Sequence, residues 1–224
     1  MAVEEILVLA SSMKHGGRCV AGLNRDGEWV RPVSGEPHGL FKVECAVDGR
    51  WPEVLDVVRF GYEKPLEDPA QPENLLIDGS AWELRKRLSG EEAYGRLGRF
   101  LADGPALLGN RGKALPEEEA AKGVDHSLAL IEPVAAVFLL RPPEDTYDKL
   151  KPRVRFEFGS SEYELGLTDI PMRERVLEAG VGEYRPETFG LDPDGPLLFT
   201  ISLGEAQEGW HTKLAAAVIS LPAP

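Results

Sequence analysis

Three short strand-like runs follow one another at the start of the chain: "EILVLASS" (5–12), "RCVAGLN" (18–24) and "GEWVRPVS" (27–34). Gly16-Gly17 separates the first two, and "NRDG", with the Asp-Gly step that marks tight hairpins, separates the last two. Gaps this short exclude parallel neighbours, because a parallel pair needs a crossover of a dozen or more residues. The opening is therefore an antiparallel meander, and the rest of the fold has to be built around it.

The strand pattern returns further on. "VLDVVRFGY" (54–62) is a fourth candidate, and "HSLALIEPVAAVFLL" (126–140) gives one long strand or two short ones split at Pro133. "RVRFEFG" alternates at period two and "SEYELGLTD" answers it across Gly159-Ser160, as in a hairpin. "PMRERVLEAGVG" starts with Pro171 at a natural first helical position and stops at Gly180. "PLLFTISLGEAQEGWHTKLAAAVISL" supplies two more strands around an acidic turn. Residues 80–103 differ in character: Ser80 is a candidate N-cap, Trp82, Leu84 and Leu88 are spaced for one helix, and Tyr94, Leu97 and Phe100 for another. The pattern predicts a mainly β protein of two small units, 1–140 with a helical insertion at about 80–103 and 141–224 with one short helix, joined at Pro142-Pro143. Compact Greek-key barrels such as the OB-fold suit these units, and other small barrels suit them nearly as well.

Charge narrows the function. The chain carries a formal net charge of −13, with 38 acidic against 25 basic residues, which argues against indiscriminate binding to duplex nucleic acid. A site feels its neighbourhood rather than the sum. Residues 11–34 hold four Lys/Arg against two Asp/Glu, whereas 156–210 hold three against twelve. The start "MAVEEILVLA" is acidic where a secretory signal is basic, and no apolar run reaches membrane-spanning length, so a cytoplasmic, membrane-free setting is expected. Cys19 and Cys45 form no close pair and read as small hydrophobes.

Within that basic stretch Lys14, His15 and Arg18 flank Gly16 and Gly17. The glycines would let the backbone approach a ligand while the cations meet a phosphate or a base edge; equally, they would simply turn a hairpin with solvated charges. Trp29 and Arg31 are two apart on a strand and share a face, which suits base stacking with backbone guidance but also suits ordinary packing. Ser11, Ser12 and Ser34 are secondary candidates that would also satisfy turns. In the second half Lys213 leaves a turn beside Trp210 and His211 and would meet phosphate, while Asp169, ahead of Pro171, reads as a helix cap. The four histidines, His15, His38, His126 and His211, have no metal-binding spacing, and phosphate-loop, dinucleotide and hydrolase motifs are absent from the sequence, so no cofactor is expected.

"SSMKHGGRCVAGLNRDGEWVRPVS", together with "YELGLTD", "FTISLGE" and "HTKLAAAVI" near the end, resembles the dual OB-containing domain family, over roughly a third of the chain. The resemblance implies two OB-like barrels and a nucleic-acid role alongside enzymes that process or modify DNA or RNA, and it brings no catalytic set. The expectation is a module for single-stranded or modified nucleic acid, contacted by Ser12, Lys14, His15, Gly16, Gly17, Arg18, Trp29, Arg31, Ser34 and Lys213. Two other classes stay open: an acidic adaptor that binds protein, and a nuclease or base-modifying enzyme using Lys14 and His15 as nucleophile and base.

Overall fold

The computed structural model describes residues 2–14, 16–35, 39–143 and 150–223. Its first sheet begins with the predicted meander: β1 (Ala2–Lys14), β2 (Gly17–Leu23) and β3 (Trp29–Val33). A short helix α1 (Lys42–Cys45) follows, then β4 (Asp56–Pro65), β5 (Asn74–Ile77) and β6 (Glu83–Arg87). β1 serves two neighbours. Residues 2–7 pair with β4 and residues 7–14 with β2, and the register shifts between Val8 and Ala10 where the strand passes from one to the other. β2 pairs with β3, β3 runs parallel to β5, and β5 pairs with β4. The hydrogen-bonded path β1–β2–β3–β5–β4–β1 thus returns to its start, leaving β6 outside on β4. Ile6, Val8, Val20, Val30, Val58, Phe60 and Ile77 pack inside this near-ring.

The second sheet repeats the plan. After α2 (Gly90–Leu97), β7 (Ala114–Pro116) and α3 (Glu117–Ala120) come β8 (Leu128–Ile131) and β9 (Val134–Leu140), the two halves of the apolar run that Pro133 divides. β10 (Arg153–Phe158), β11 (Ser161–Leu167), α4 (Ile170–Ala179), β12 (Gly182–Tyr184), β13 (Leu197–Gln207) and β14 (Trp210–Ser220) complete it. β8 pairs with β13 and β9 with β10, as the two halves of β1 serve β4 and β2. β10 pairs with β11, β11 runs parallel to β14, and β14 pairs with β13. The alternation in "RVRFEF" sends Val154, Phe156 and Phe158 inward, where they meet Phe138, Tyr163, Phe199 and Ile201.

Two expectations change. Sheet membership changes before Ala114, because β7, β8 and β9 all pair within the second sheet, whereas the sequence placed the joint at Pro142-Pro143. Residues 83–87 are also a strand rather than helix: Leu84 pairs opposite Val58, and Trp82 stacks on Phe60 at 4.8 Å. The helix that does form is capped by Ser89, not Ser80, in a capping box with Glu92.

The two sheets share a third core. Leu9, Ala21, Leu23 and Val57 from the first meet Leu128, Leu130, Leu198, Ala217 and Ile219 from the second, with Leu88, Ala93 and Leu97 of the α2 region between them. Polar contacts fix the junction: Thr200 Oγ1 donates to the Leu9 carbonyl at 2.6 Å, and the Met13 amide to the Thr168 carbonyl at 3.0 Å. No helix among the described residues is long and apolar enough to cross a membrane.

Candidate nucleic-acid interface

The β1–β2 turn explains its two glycines separately. Gly16 has φ +83°, a left-handed conformation that costs other residues energy. A Cβ on Gly17 would lie 2.5 Å from the Leu40 carbonyl oxygen, because Arg18 and Leu40 exchange backbone hydrogen bonds of 2.9 Å just beyond it. His15, between Lys14 and Gly16, lies outside the described residues.

Around this turn the structure gathers part of the predicted set. Lys14, Arg18 and Ser34 line a small pocket of about 150 Å³ with Asp68 and Gln71 of the β4–β5 connection, Asn74 at the start of β5, and Glu205. Arg18 lies with its guanidinium 4.8 Å from the centre of the Trp51 ring and donates to Ser11 Oγ at 3.3 Å. Burial lowers its pKa, against the pull of Cys45 and nearby carboxylates. Gln71 holds the Leu203 carbonyl and accepts from Asn74, while Ser34 Oγ and Asn74 Oδ1 are buried without a hydrogen-bond partner.

The pocket opens beside a larger cleft of about 590 Å³ between the sheets. Ser12, Lys14, Cys19 and Arg31 form its first wall; Arg153, Thr168, Arg173, Ser202 and Leu214 belong to the second. Lys14 Nζ crosses between them to Glu205 at 2.7 Å. Basic side chains outnumber acidic ones along this cleft, in a chain whose net charge is −13. The acidic surplus of 156–210 falls mostly outside it.

Other predicted residues are placed differently. Trp29 and Arg31 do share a face, but that face meets the second sheet: Trp29 packs against the shared core, and Arg31 is 1% exposed. Arg31 pairs with Glu73 at 3.0 Å and donates to Ser127 Oγ at 2.8 Å, so its charge is already met. Trp29 instead lines a separate cavity of about 700 Å³ with Phe100, Asp103 and Glu119. Lys213 is fully buried and donates to the Asn110 carbonyl, Asn110 Oδ1 and the Gly112 carbonyl at 2.7–2.9 Å. Burial pushes its pKa down to about 8. Trp29 and Arg31 are covered by the other sheet, whereas Lys213 is covered by the 110–112 turn and by Tyr163 of its own sheet.

Asp169 caps α4 through the Met172 amide at 2.8 Å and also accepts from the Val218 amide at 3.2 Å; burial raises its pKa despite both bonds. Cys45 is buried, its thiol pushed up to about 12, and therefore stays protonated. Among the described residues no cluster of three or more His, Cys, Asp or Glu is placed to hold a metal ion. The sequence reading missed Gln71, Asn74, Lys151, Arg153 and Arg173. Only the cationic character of the last three was visible in it, since their convergence depends on how the two sheets dock.

The repeated strand order, with a pocket at the β1–β2 turn and the β4–β5 connection, agrees with the family whose description the chain matches. The dual OB-containing domain matches residues 4–218, nearly the whole chain. The chain belongs to that family. No match was found among curated proteins or among solved structures. Membership in the dual OB-containing domain family brings the general capacity of OB domains to bind oligonucleotides or oligosaccharides.

Proposed function

We propose that this protein is a nucleic-acid-binding module of two OB-like barrels, one formed by β1–β5 and the other by β8–β11 with β13 and β14, which receives single-stranded nucleic acid at the junction between them. The observation that carries the reading is the placement of Lys14, Arg18, Ser34, Gln71 and Asn74. OB-folds hold oligonucleotides against strands 2 and 3 and the loops joining strands 1–2 and 4–5, and these residues come from that region. Unpartnered Ser34 Oγ and Asn74 Oδ1 supply hydrogen-bonding capacity for sugar or base edges, and Lys14 and Arg18 supply phosphate contacts. Trp29, Arg31 and Lys213 have structural roles in this reading.

Fluorescence anisotropy with labelled single-stranded DNA and RNA at low salt tests it. Wild type should bind with a shallow salt dependence, about 0.7 in log–log slope for each phosphate neutralised. Lys14→Ala/Arg18→Ala should weaken binding by about tenfold or more, and Trp29→Ala should leave it unchanged provided the fold is retained. Absence of wild-type binding to any strand, or equal binding by the double variant, refutes the proposal.

A further inference from the structure

Three of the cations along the 590 Å³ cleft are met by carboxylates: Lys14 by Glu205, Arg31 by Glu73 at 3.0 Å, and Arg153 by Glu164 at 3.0 Å. Two are not. Lys151, at the approach to β10, and Arg173, in the first turns of α4, have no acidic partner among the described residues. Arg173 Nη1 is buried without a hydrogen-bond partner, as is Nε of the 1%-exposed Arg31 on the facing wall. The unsatisfied groups are thus donors, and a ligand that satisfies them presents acceptor oxygens and negative charge.

Size restricts that ligand further. A volume of about 590 Å³ lies within the usual range for small-molecule sites, roughly 300–1,000 Å³, and cannot enclose the run of about four or more nucleotides that an OB-fold tracks along a strand. Met13, Leu203 and Leu214 give the cleft apolar surface for a base or sugar face. Two cations with no acidic partner among the described residues balance a phosphomonoester, which carries about −1.5 to −2 near neutral pH, better than a phosphodiester, which carries a single charge.

Building on the nucleic-acid reading above, we infer that the cleft between the sheets is a pocket for one nucleotide unit bearing a phosphomonoester, either a free mononucleotide or the phosphorylated end of a strand. Arg173 and Lys151 contact the phosphate, and the inner wall around Arg31 and Ser202 receives the base. A continuous strand lies outside, along the Lys14–Arg18 pocket.

The test compares labelled oligonucleotides of one sequence carrying a 5′-phosphate, a 3′-phosphate or no terminal phosphate, with AMP, GMP, CMP and UMP as competitors. The expected result is that one phosphorylated end, or a mononucleotide, binds about tenfold or more tightly than the unphosphorylated strand. Arg173→Ala and Lys151→Ala should each abolish that preference, weakening the phosphorylated ligand far more than the unphosphorylated strand; Lys151 is exposed, so at least its variant should fold normally. If all three strands bind alike and no mononucleotide competes, the pocket is refuted while the strand-binding proposal stands. If a mononucleotide binds and no strand does, the pocket stands and the strand-binding proposal falls. Competition by inorganic phosphate as strong as by mononucleotides also refutes the pocket, because the base would then contribute nothing.

Discussion

A lysine and an arginine that looked like ligand contacts in the sequence are among the most deeply buried side chains in the structure. Lys213 holds the 110–112 turn by three carbonyl acceptors and sits 5.5 Å from the Tyr163 ring centre. It has no carboxylate partner among the described residues, and burial lowers its pKa, so its charge is carried at the expense of stability. The sign follows from its pKa, about 8 in the native state against an ordinary value of 10.5. Below pH 8 both states are protonated and the burial penalty is present in full. Between pH 8 and 10.5 the unfolded chain holds the proton that the native protein releases, so stability rises with pH. Urea unfolding at intervals from pH 7 to 10 should show wild type gaining on Lys213→Met by on the order of 2–3 kcal/mol across that window. A constant difference between the two proteins would show that the three carbonyls restore the lysine's ordinary titration. Asp56 is the opposite case: burial alone would raise its pKa, but Arg50 at 2.7 Å, Arg87 at 2.8 Å and the Glu53 amide together hold it below the ordinary range.

At the scale of elements, the β1–β2 turn separates two effects that "GG" conflates. Gly16→Ala meets no atom within 4 Å among the described residues and is opposed by its left-handed backbone, a cost of about 1–2 kcal/mol. Gly17→Ala drives a Cβ against the Leu40 carbonyl and should cost more, because backbone rather than a flexible side chain has to move. Chemical denaturation of the two variants should rank them in that order, and a larger loss at Gly16 would contradict the geometry. The same turn shows what a sequence conveys about elements. The meander, the Gly159-Ser160 hairpin, the Asp169-capped helix and the last two strands were legible because turn chemistry and periodicity agree there. β5, β7 and β12 span only three or four residues, too few to show a period, and their partners define them. β6 misleads because Trp82, Leu84 and Leu88 fit a helical stripe, although Trp82 and Leu84 fit period two equally. "SGEE" at 89–92, a capping-box signature, was the better marker of where the helix starts. The pocket and the cleft beside it were half legible: the β1–β2 turn advertises Lys14 and Arg18, while Gln71, Asn74 and Arg173 arrive from distant segments.

For the molecule as a whole, the decisive feature is that each sheet keeps its own interior and contributes to a third core shared with the other. A candidate site at that junction needs the two walls held in fixed relation, since Lys14, Arg31, Arg153 and Arg173 approach it from different sheets. The shared core provides that rigidity without a disulfide, both cysteines being free. Its composition also predicts how the protein unfolds. Leu130 is fully buried among Leu9, Leu23 and Val57 of one sheet and Leu198 and Ile219 of the other, so a cavity there weakens both units together. Calorimetry should show one cooperative transition whose van't Hoff and calorimetric enthalpies agree. Leu130→Ala should lower its midpoint at a cost of about 2–5 kcal/mol without splitting it. Tryptophan fluorescence, which reports mainly the first sheet through Trp29, Trp51 and Trp82, should follow the same curve as far-UV circular dichroism, which reports both. Two resolved transitions, or a Leu130→Ala variant in which fluorescence melts apart from circular dichroism, would mean that the two sheets fold independently. The cleft walls would then be free to separate, and the one-nucleotide pocket would lose its structural basis.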